Sequence, residues 1–341
     1  MALLFLVVLL GALVCGANAV FRAPFRPLFR RQRLTVPAAW PNLSLVHISD
    51  LHVRHDYPRL SRAQALALAG LEPDLLCVTG DVCETIHDVP PLVAVLRSAR
   101  PRLGTFIVLG NHEHGAPKPR QHRGPLAHLV HNAINRALTP FSPAHRSSGS
   151  AEGHAIADAL RSAGLVVLHN QGVRIAGPAG TLWLAGCDSA WAGHADMAAA
   201  MAGRRLAEPC LALVHEPDLA FSAAAHDADV ILAGHTHGGQ IRLPIVGAPY
   251  THRLDPRIRI ASGFQRIGSA WLHITTGLGH TIPLRFACPP EVVWFDCVAT
   301  TASDAAAASV ADAVAAEIRY PEASWRSLTR THSSSSGPPA I

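Results

Sequence analysis

The chain has 341 residues, 49% of them hydrophobic and 16% charged, which leaves ample material for a core of one large domain or two ordinary ones. Its formal charge of +5 is local: no acidic residue precedes Asp50, while Arg22, Arg26, Arg30, Arg31 and Arg33 do, and setting those five aside from the 29 basic residues leaves 24 against 24 acidic ones. That balance argues against a general nucleic-acid binder, and seven irregularly spaced cysteines argue against a disulfide framework.

In chain order, Ala2 to Phe21 is a run whose clearly polar member is Asn18, long enough to cross the ~30 Å hydrocarbon core as a helix. The competing reading is a signal peptide cleaved near Ala17-Asn18-Ala19, but the positive charges follow the run instead of preceding it. By the positive-inside rule this favours an uncleaved anchor (1–21) in the cell inner membrane, a basic juxtamembrane linker (22–42) held near anionic head groups, and a cytoplasmic catalytic part. Export after cleavage is the alternative.

From Leu43 onwards, short apolar runs alternate with turn residues. Leu43–Ile48 leads into Asp50-Leu51-His52, Leu75–Thr79 into Gly80-Asp81, and Thr105–Leu109 into Gly110-Asn111-His112-Glu113. Leu211–Val214 leads into His215, and Val230–Leu232 into Gly234-His235-Thr236-His237. Segments such as Arg62–Leu71 and Pro91–Ala99 have helical spacing. Strand, polar loop and helix in repetition predict an α/β fold with its site at strand ends.

Residues 114–151 interrupt the rhythm as a basic insertion without acidic residues. They read either as a solvated insertion or as a lid whose amphipathic piece, Leu126 to Leu138, touches membrane or acyl chain. Past Cys297 the composition turns to Ala, Thr and Ser, which predicts a disordered tail over 299–341, with one helical stretch from Ser303 to Ile318.

The strand-end groups Asp50, His52, Asp81, Asn111, His112, His215, His235 and His237 form a mixed nitrogen and oxygen donor set suited to Mn, Fe or Zn. A lone His-x-His such as His235 and His237 reads equally well as surface histidines. Five such pieces in series, each after an apolar run, do not.

These motifs, from Asp50-Leu51-His52 to Gly234-His235-Thr236-His237, resemble the calcineurin-like metallophosphoesterase superfamily over about Leu43 to Cys297. The resemblance implies a four-layer α/β sandwich, two central mixed β-sheets flanked by helices, as a domain over 43–298 behind one N-terminal transmembrane helix. It implies two divalent metal ions, one held by Asp50, His52 and His237, the other by Asn111, His215 and His235, with Asp81 bridging. A metal-bridging hydroxide would then attack a phosphodiester or pyrophosphate in line.

His112 would lie beside the metals, stabilising transition-state charge or protonating the leaving group. Glu84 stands where the family has a carboxylate, commonly Asp, that orients this histidine, and Glu113 reads as a structural partner of its loop. The anchor, the extension Gly238–Pro244 and the late Gly277–Phe286 segment resemble the membrane-associated bacterial branch, which includes cell-envelope phosphodiesterases and UDP-2,3-diacylglucosamine pyrophosphohydrolases of lipid A synthesis. Arg242 and Arg285 are then candidate phosphate contacts, or surface arginines.

Asp188 and Trp191 are further pocket candidates, and Asn170 a turn residue. The expected partners are a phosphorylated small molecule or lipid and the membrane, with no nucleic acid and no protein partner indicated. The expected substrate is membrane-associated, such as UDP-2,3-diacylglucosamine. The alternatives are a soluble or envelope phosphodiester, a nuclease, or a non-catalytic binding protein.

Overall fold

The structure is a computed structural model that describes residues 1–37, 39–115, 150–177, 180–251 and 255–299. The piece Leu126–Leu138, nearly all of the basic insertion, and the segment Ser303 to Ile318 lie outside the described residues.

The first sheet takes its strands in the order β1 (Leu28–Val36), β12 (Glu291–Ala299), β2 (Ser44–Ile48), β3 (Leu75–Thr79), β4 (Gly104–Val108) and β5 (Val166–Val167). The second runs β10 (Gly263–Ile267), β11 (Ala270–Ile274), β9 (Val230–Ala233), β8 (Cys210–Leu213), β7 (Gly180–Gly186) and β6 (Gln171–Gly177). Both are mixed. Strands β2, β3, β4 and β5 are parallel neighbours, as are β7, β8, β9 and β11, whereas β12 pairs antiparallel with β2, β10 with β11, and β6 with β7.

Strand periodicity builds the layers. Leu45, Leu75 and Cys77 point into a core between the sheets, where they join Leu184, Leu211 and Leu232. Their neighbours Val46, Ile48, Leu76 and Val78 face the other way, into a second core. That core is closed by α2 (Pro58–Leu68), α3 (Val89–Leu96) and α4 (Ser150–Ser162), through side chains such as Leu68, Leu92 and Leu160. On the far side Ala185, Ala212, Ile231 and Ala233 pack under α5 (Met197–Met201) and α6 (Ala220–Ala225). Helix, sheet, sheet, helix is the four-layer sandwich expected, and the central strands β3, β8, β9 and β11 are buried along their length because both of their faces are covered.

Residues 22–42, expected as a linker, instead contain β1, which pairs in parallel with β12 along nine residues. Leu34 and Val36 alternate into the inter-sheet core, and the arginines between find carboxylates: Arg30 Nε lies 2.8 Å from Glu291 Oε2 and Arg31 Nε 2.7 Å from Asp296 Oδ2. These two charges are engaged by the protein, not held out for lipid. Ahead of β1, α1 (Ala2–Phe21) is long and apolar enough to cross a membrane by length and composition, and its described side chains are exposed until its last turn.

Candidate metal centre

Parallel strands end in the same direction, so the loops after β2, β3 and β4 in one sheet and β8 and β9 in the other converge on one side of the sandwich. Hydrogen bonds continue the register past the strands: Asp50 N donates to Gly80 O, and His52 N to Asp81 O. Asp50, His52, Asp81, His235 and His237 all adopt positive φ, between 44° and 68°. Each such turn costs a non-glycine residue of order 1 kcal/mol or more, and the surrounding packing holds it. The strain turns these side chains toward one another.

Two glycines are required by close approach. A Cβ at Gly234 would strike the Ser49 hydroxyl and, at 2.6 Å, an Asp50 carboxylate oxygen; one at Gly110 would strike the Asp81 carboxylate. Without them the loops of the two sheets could not close on the site. His235 N donates to both Asp50 oxygens, at 3.1 and 3.0 Å, which ties β9 to β2.

The expected donor atoms are then neighbours. His237 Nε2 lies 3.4 Å from Asp50 Oδ1 and 3.3 Å from His52 Nε2. Asp81 Oδ2 lies 3.2 Å from His215 Nε2 and 3.8 Å from both His52 Nε2 and His112 Nε2. His235 Nδ1 is 3.1 Å from His215 Nε2. Among the described residues three groups each bring their donor atoms within 4.8 Å of one another: Asp50, His52 and His237; Asp81, His215 and His235; and His52, Asp81 and His112.

These residues fit divalent cations. The Asn111 side-chain oxygen is buried with no hydrogen-bond partner, which costs free energy unless an electron-pair acceptor completes it. His215 Nδ1 donates to Thr79 O at 2.8 Å, so Nε2 presents its lone pair to the cluster. Burial opposes a charged His215, yet Asp81 beside it raises its pKa well above the ordinary value. Burial likewise opposes a charged Asp81, but His215 and His112 hold its carboxyl well below the usual range. A spot that draws protons to imidazole between two buried carboxylates draws a metal ion for the same reason. Asp50, raised to about 6 by burial with Asp81 adding, gains from the same neutralisation.

Around the cluster, Glu84 Oε1 stands 3.5 Å from His112 Nδ1. Glu113 acts as a hub for the turns: its carboxylate accepts from the amides of Asp81, Val82, Cys83 and Gly110. Burial, with Asp81 adding, raises it to about 7. Glu113→Ala strands these buried donors, and with each costing about 1–3 kcal/mol it is expected to lower stability by about 3 kcal/mol or more. The denaturant midpoint measures this; an unchanged midpoint would rule the hub out.

Arg285, expected as a phosphate contact or a surface arginine, lies inside the protein. Its guanidinium donates to the carbonyls of Thr276, Gly279 and His237 at 2.7, 2.6 and 3.1 Å, which props the His237 turn from behind. Arg242 is likewise engaged, with Gly238 O and the Ser262 hydroxyl. The Asp188 carboxylate pairs with other histidines, His114 Nε2 at 2.9 Å and His169 Nδ1 at 2.7 Å. Trp191 does reach it, its ring edge-on to His235 with centroids 4.1 Å apart. Asn170 closes a turn at φ 52°, accepting from the amides of Asp188 and Asp196.

Sequence reasoning passed over Glu216, which accepts from the Ser189 hydroxyl and the Ala190 and Trp191 amides and so fixes the loop that carries Trp191. Its position directly after His215 was the available signal. His47 and His273 belong to the core instead: their Nδ1 atoms lie 3.0 Å apart between the sheets, and burial pushes His273 down to about 4.

Residues 43–239 match the family model for the calcineurin-like phosphoesterases, and this match covers every residue of the strand-end cluster. The chain belongs to that family. As a calcineurin-like phosphoesterase it is a metal-dependent enzyme of phosphoester cleavage. It is 30% identical to phosphodiesterase YaeI of Escherichia coli over 74% of this chain and 82% of that protein. It is 27% identical to the UDP-2,3-diacylglucosamine pyrophosphatase LpxG of Chlamydia trachomatis, over 75% of this chain and 84% of that protein. Among solved structures, phosphopantetheinyl hydrolase of Mycobacterium tuberculosis aligns with a TM-score of 0.40 at 15% identity, covering 71% of this chain and 91% of that one.

Proposed function

We propose that this phosphoesterase hydrolyses a phosphodiester or pyrophosphate bond in a membrane-associated substrate, a nucleoside diphosphate-linked lipid such as UDP-2,3-diacylglucosamine. The observation that carries the reading is the seat of α1. Ala19, in its last turn, accepts from Arg285 N at 2.9 Å, and the guanidinium of that arginine holds the His237 carbonyl. One residue thus links the base of the apolar helix to the metal centre. The similarity to LpxG supports the same reading. The arginines after α1 favour a cytoplasmic catalytic domain on the inner membrane.

Asp50, His52 and His237 would hold one divalent ion and Asn111, His215 and His235 a second, with Asp81 shared; the donor set accepts Mn, Fe or Zn, and availability decides among them. When bound, the ions supply positive charge for phosphoryl oxygens and an acidified water for in-line attack. Glu84 keeps the proton of His112 on Nδ1 or shares it, which aims Nε2 at the reacting phosphate. As an imidazolium, His112 donates from Nε2 to the leaving oxygen. Arg285 and Glu113 keep the turns from relaxing.

The second reading is a soluble or envelope phosphodiester, which the similarity to phosphodiesterase YaeI favours. The test sets Mn-loaded, detergent-solubilised protein on a UDP-linked diacyl sugar and on a bis-aryl phosphodiester. Rapid cleavage of the lipid with slow cleavage of the aryl ester is the expected result. Cleavage of the aryl ester alone would remove the lipid substrate and keep the metal chemistry.

A further inference from the structure

Beyond the metal centre, the segment after His237 builds a tight turn with an unusual tip. Leu243 and Gly247 exchange hydrogen bonds of 2.8 and 2.9 Å, enclosing Pro244, Ile245 and Val246. Leu243 is 42%, Ile245 108% and Val246 67% exposed. Ile245 also holds a φ of 67°, a conformation that a β-branched residue adopts at high cost and that glycine or asparagine takes readily. A turn meant for water would carry one of those residues. Here the strain presents isoleucine at the apex.

The position of this tip is fixed by backbone pairing. Arg242 N donates to Phe286 O and Phe286 N to Gln240 O, both at 2.9 Å, while the preceding residue, Arg285, is bonded to Ala19 of α1. Phe286 is itself 37% exposed and lines, with Cys15 and Asn18 of α1, a cavity of about 160 Å³. The base of the apolar helix, Phe286 and the turn are therefore consecutive neighbours.

We propose that the turn Leu243–Val246 is a second membrane contact, inserting into the head-group and acyl boundary of the bilayer that α1 crosses. It rests on α1 being a membrane span and not on the identity of the substrate. Two contacts fix an orientation where one helix leaves a swivel. Because the turn starts three residues after Gln240, which directly follows the His237–Gly239 turn, the second contact would hold the metal centre at head-group depth.

The test uses the full chain in phosphatidylglycerol and phosphatidylethanolamine vesicles. Cys15 is the exposed cysteine and the other six are buried, so Cys15→Ser supplies a background for single spin labels at Ile245→Cys, Val8→Cys and Leu206→Cys. Leu206, 102% exposed on the second sheet's side of the chain between α5 and β8, reports water. Labels at 8 and 245 are expected to relax faster with oxygen than with water-soluble chromium oxalate, and the label at 206 the reverse. Lipid contact at 8 with water contact at 245 would overturn the turn's role alone. Water contact at both would overturn the span and the turn together, leaving the phosphoesterase chemistry untouched.

Discussion

Asp81→Ala is expected to lower hydrolysis by more than about 10³-fold, beyond the loss that follows removal of a single transition-state donor. In the proposed centre Asp81 is the shared ligand. Its Oδ2 is within 3.8 Å of nitrogens from His52, His112 and His215, and it belongs to two of the three donor groups. Its Oδ1 accepts from His112 N, so alanine also releases the loop after β4. Without its charge, His215 loses the neighbour that favours a cation there, and two metal ions would repel each other unscreened. Metal analysis after chelation and reconstitution with Mn should find less than the wild-type content. A reconstituted Asp81→Ala enzyme with normal turnover would defeat the bridging role.

His112→Ala is expected to lower kcat by about 10²–10⁴-fold, the range for loss of a general acid, with metal content and KM near wild type. Two contacts carry this: His112 Nε2 faces Asp81 at 3.8 Å, and Nδ1 faces Glu84 at 3.5 Å. Glu84→Gln, which keeps shape and removes charge, should move kcat in the same direction by about tenfold or more, as outer partners of such histidines do. The discriminating result is metal loss. His112 also falls in a donor group with His52 and Asp81, and if His112→Ala releases metal it is a ligand and not the acid.

Much of the strand-end cluster was readable because its signals are local. An apolar run followed within four residues by Asp, His or Asn is visible in one window, and β2, β3, β4, β8 and β9 form where those runs stand. The strand β1 was not readable as one, since its middle carries three arginines within four residues; Arg30 is accommodated by Glu291, 261 residues away. The burial of Arg285 was hidden for a related reason. Arginine in a glycine-rich loop near a phosphate site suggests a phosphate contact, and only the fold shows that its two terminal nitrogens donate to the carbonyls of Thr276, Gly279 and His237.

By itself the sequence determined the order and types of the donor residues, an α/β fold with its site at strand ends, the apolar first helix and the family resemblance, which implied the four layers. Tertiary structure decided which atoms meet: the left-handed turns at Asp50, His52, Asp81, His235 and His237, the amide hub at Glu113, the seat of α1 on Arg285, and the apolar apex at Ile245. The division has a physical cause. Periodicity and residue chemistry act between chain neighbours, whereas a buried hydrogen bond or a strained turn is stabilised by partners that folding brings from far along the chain.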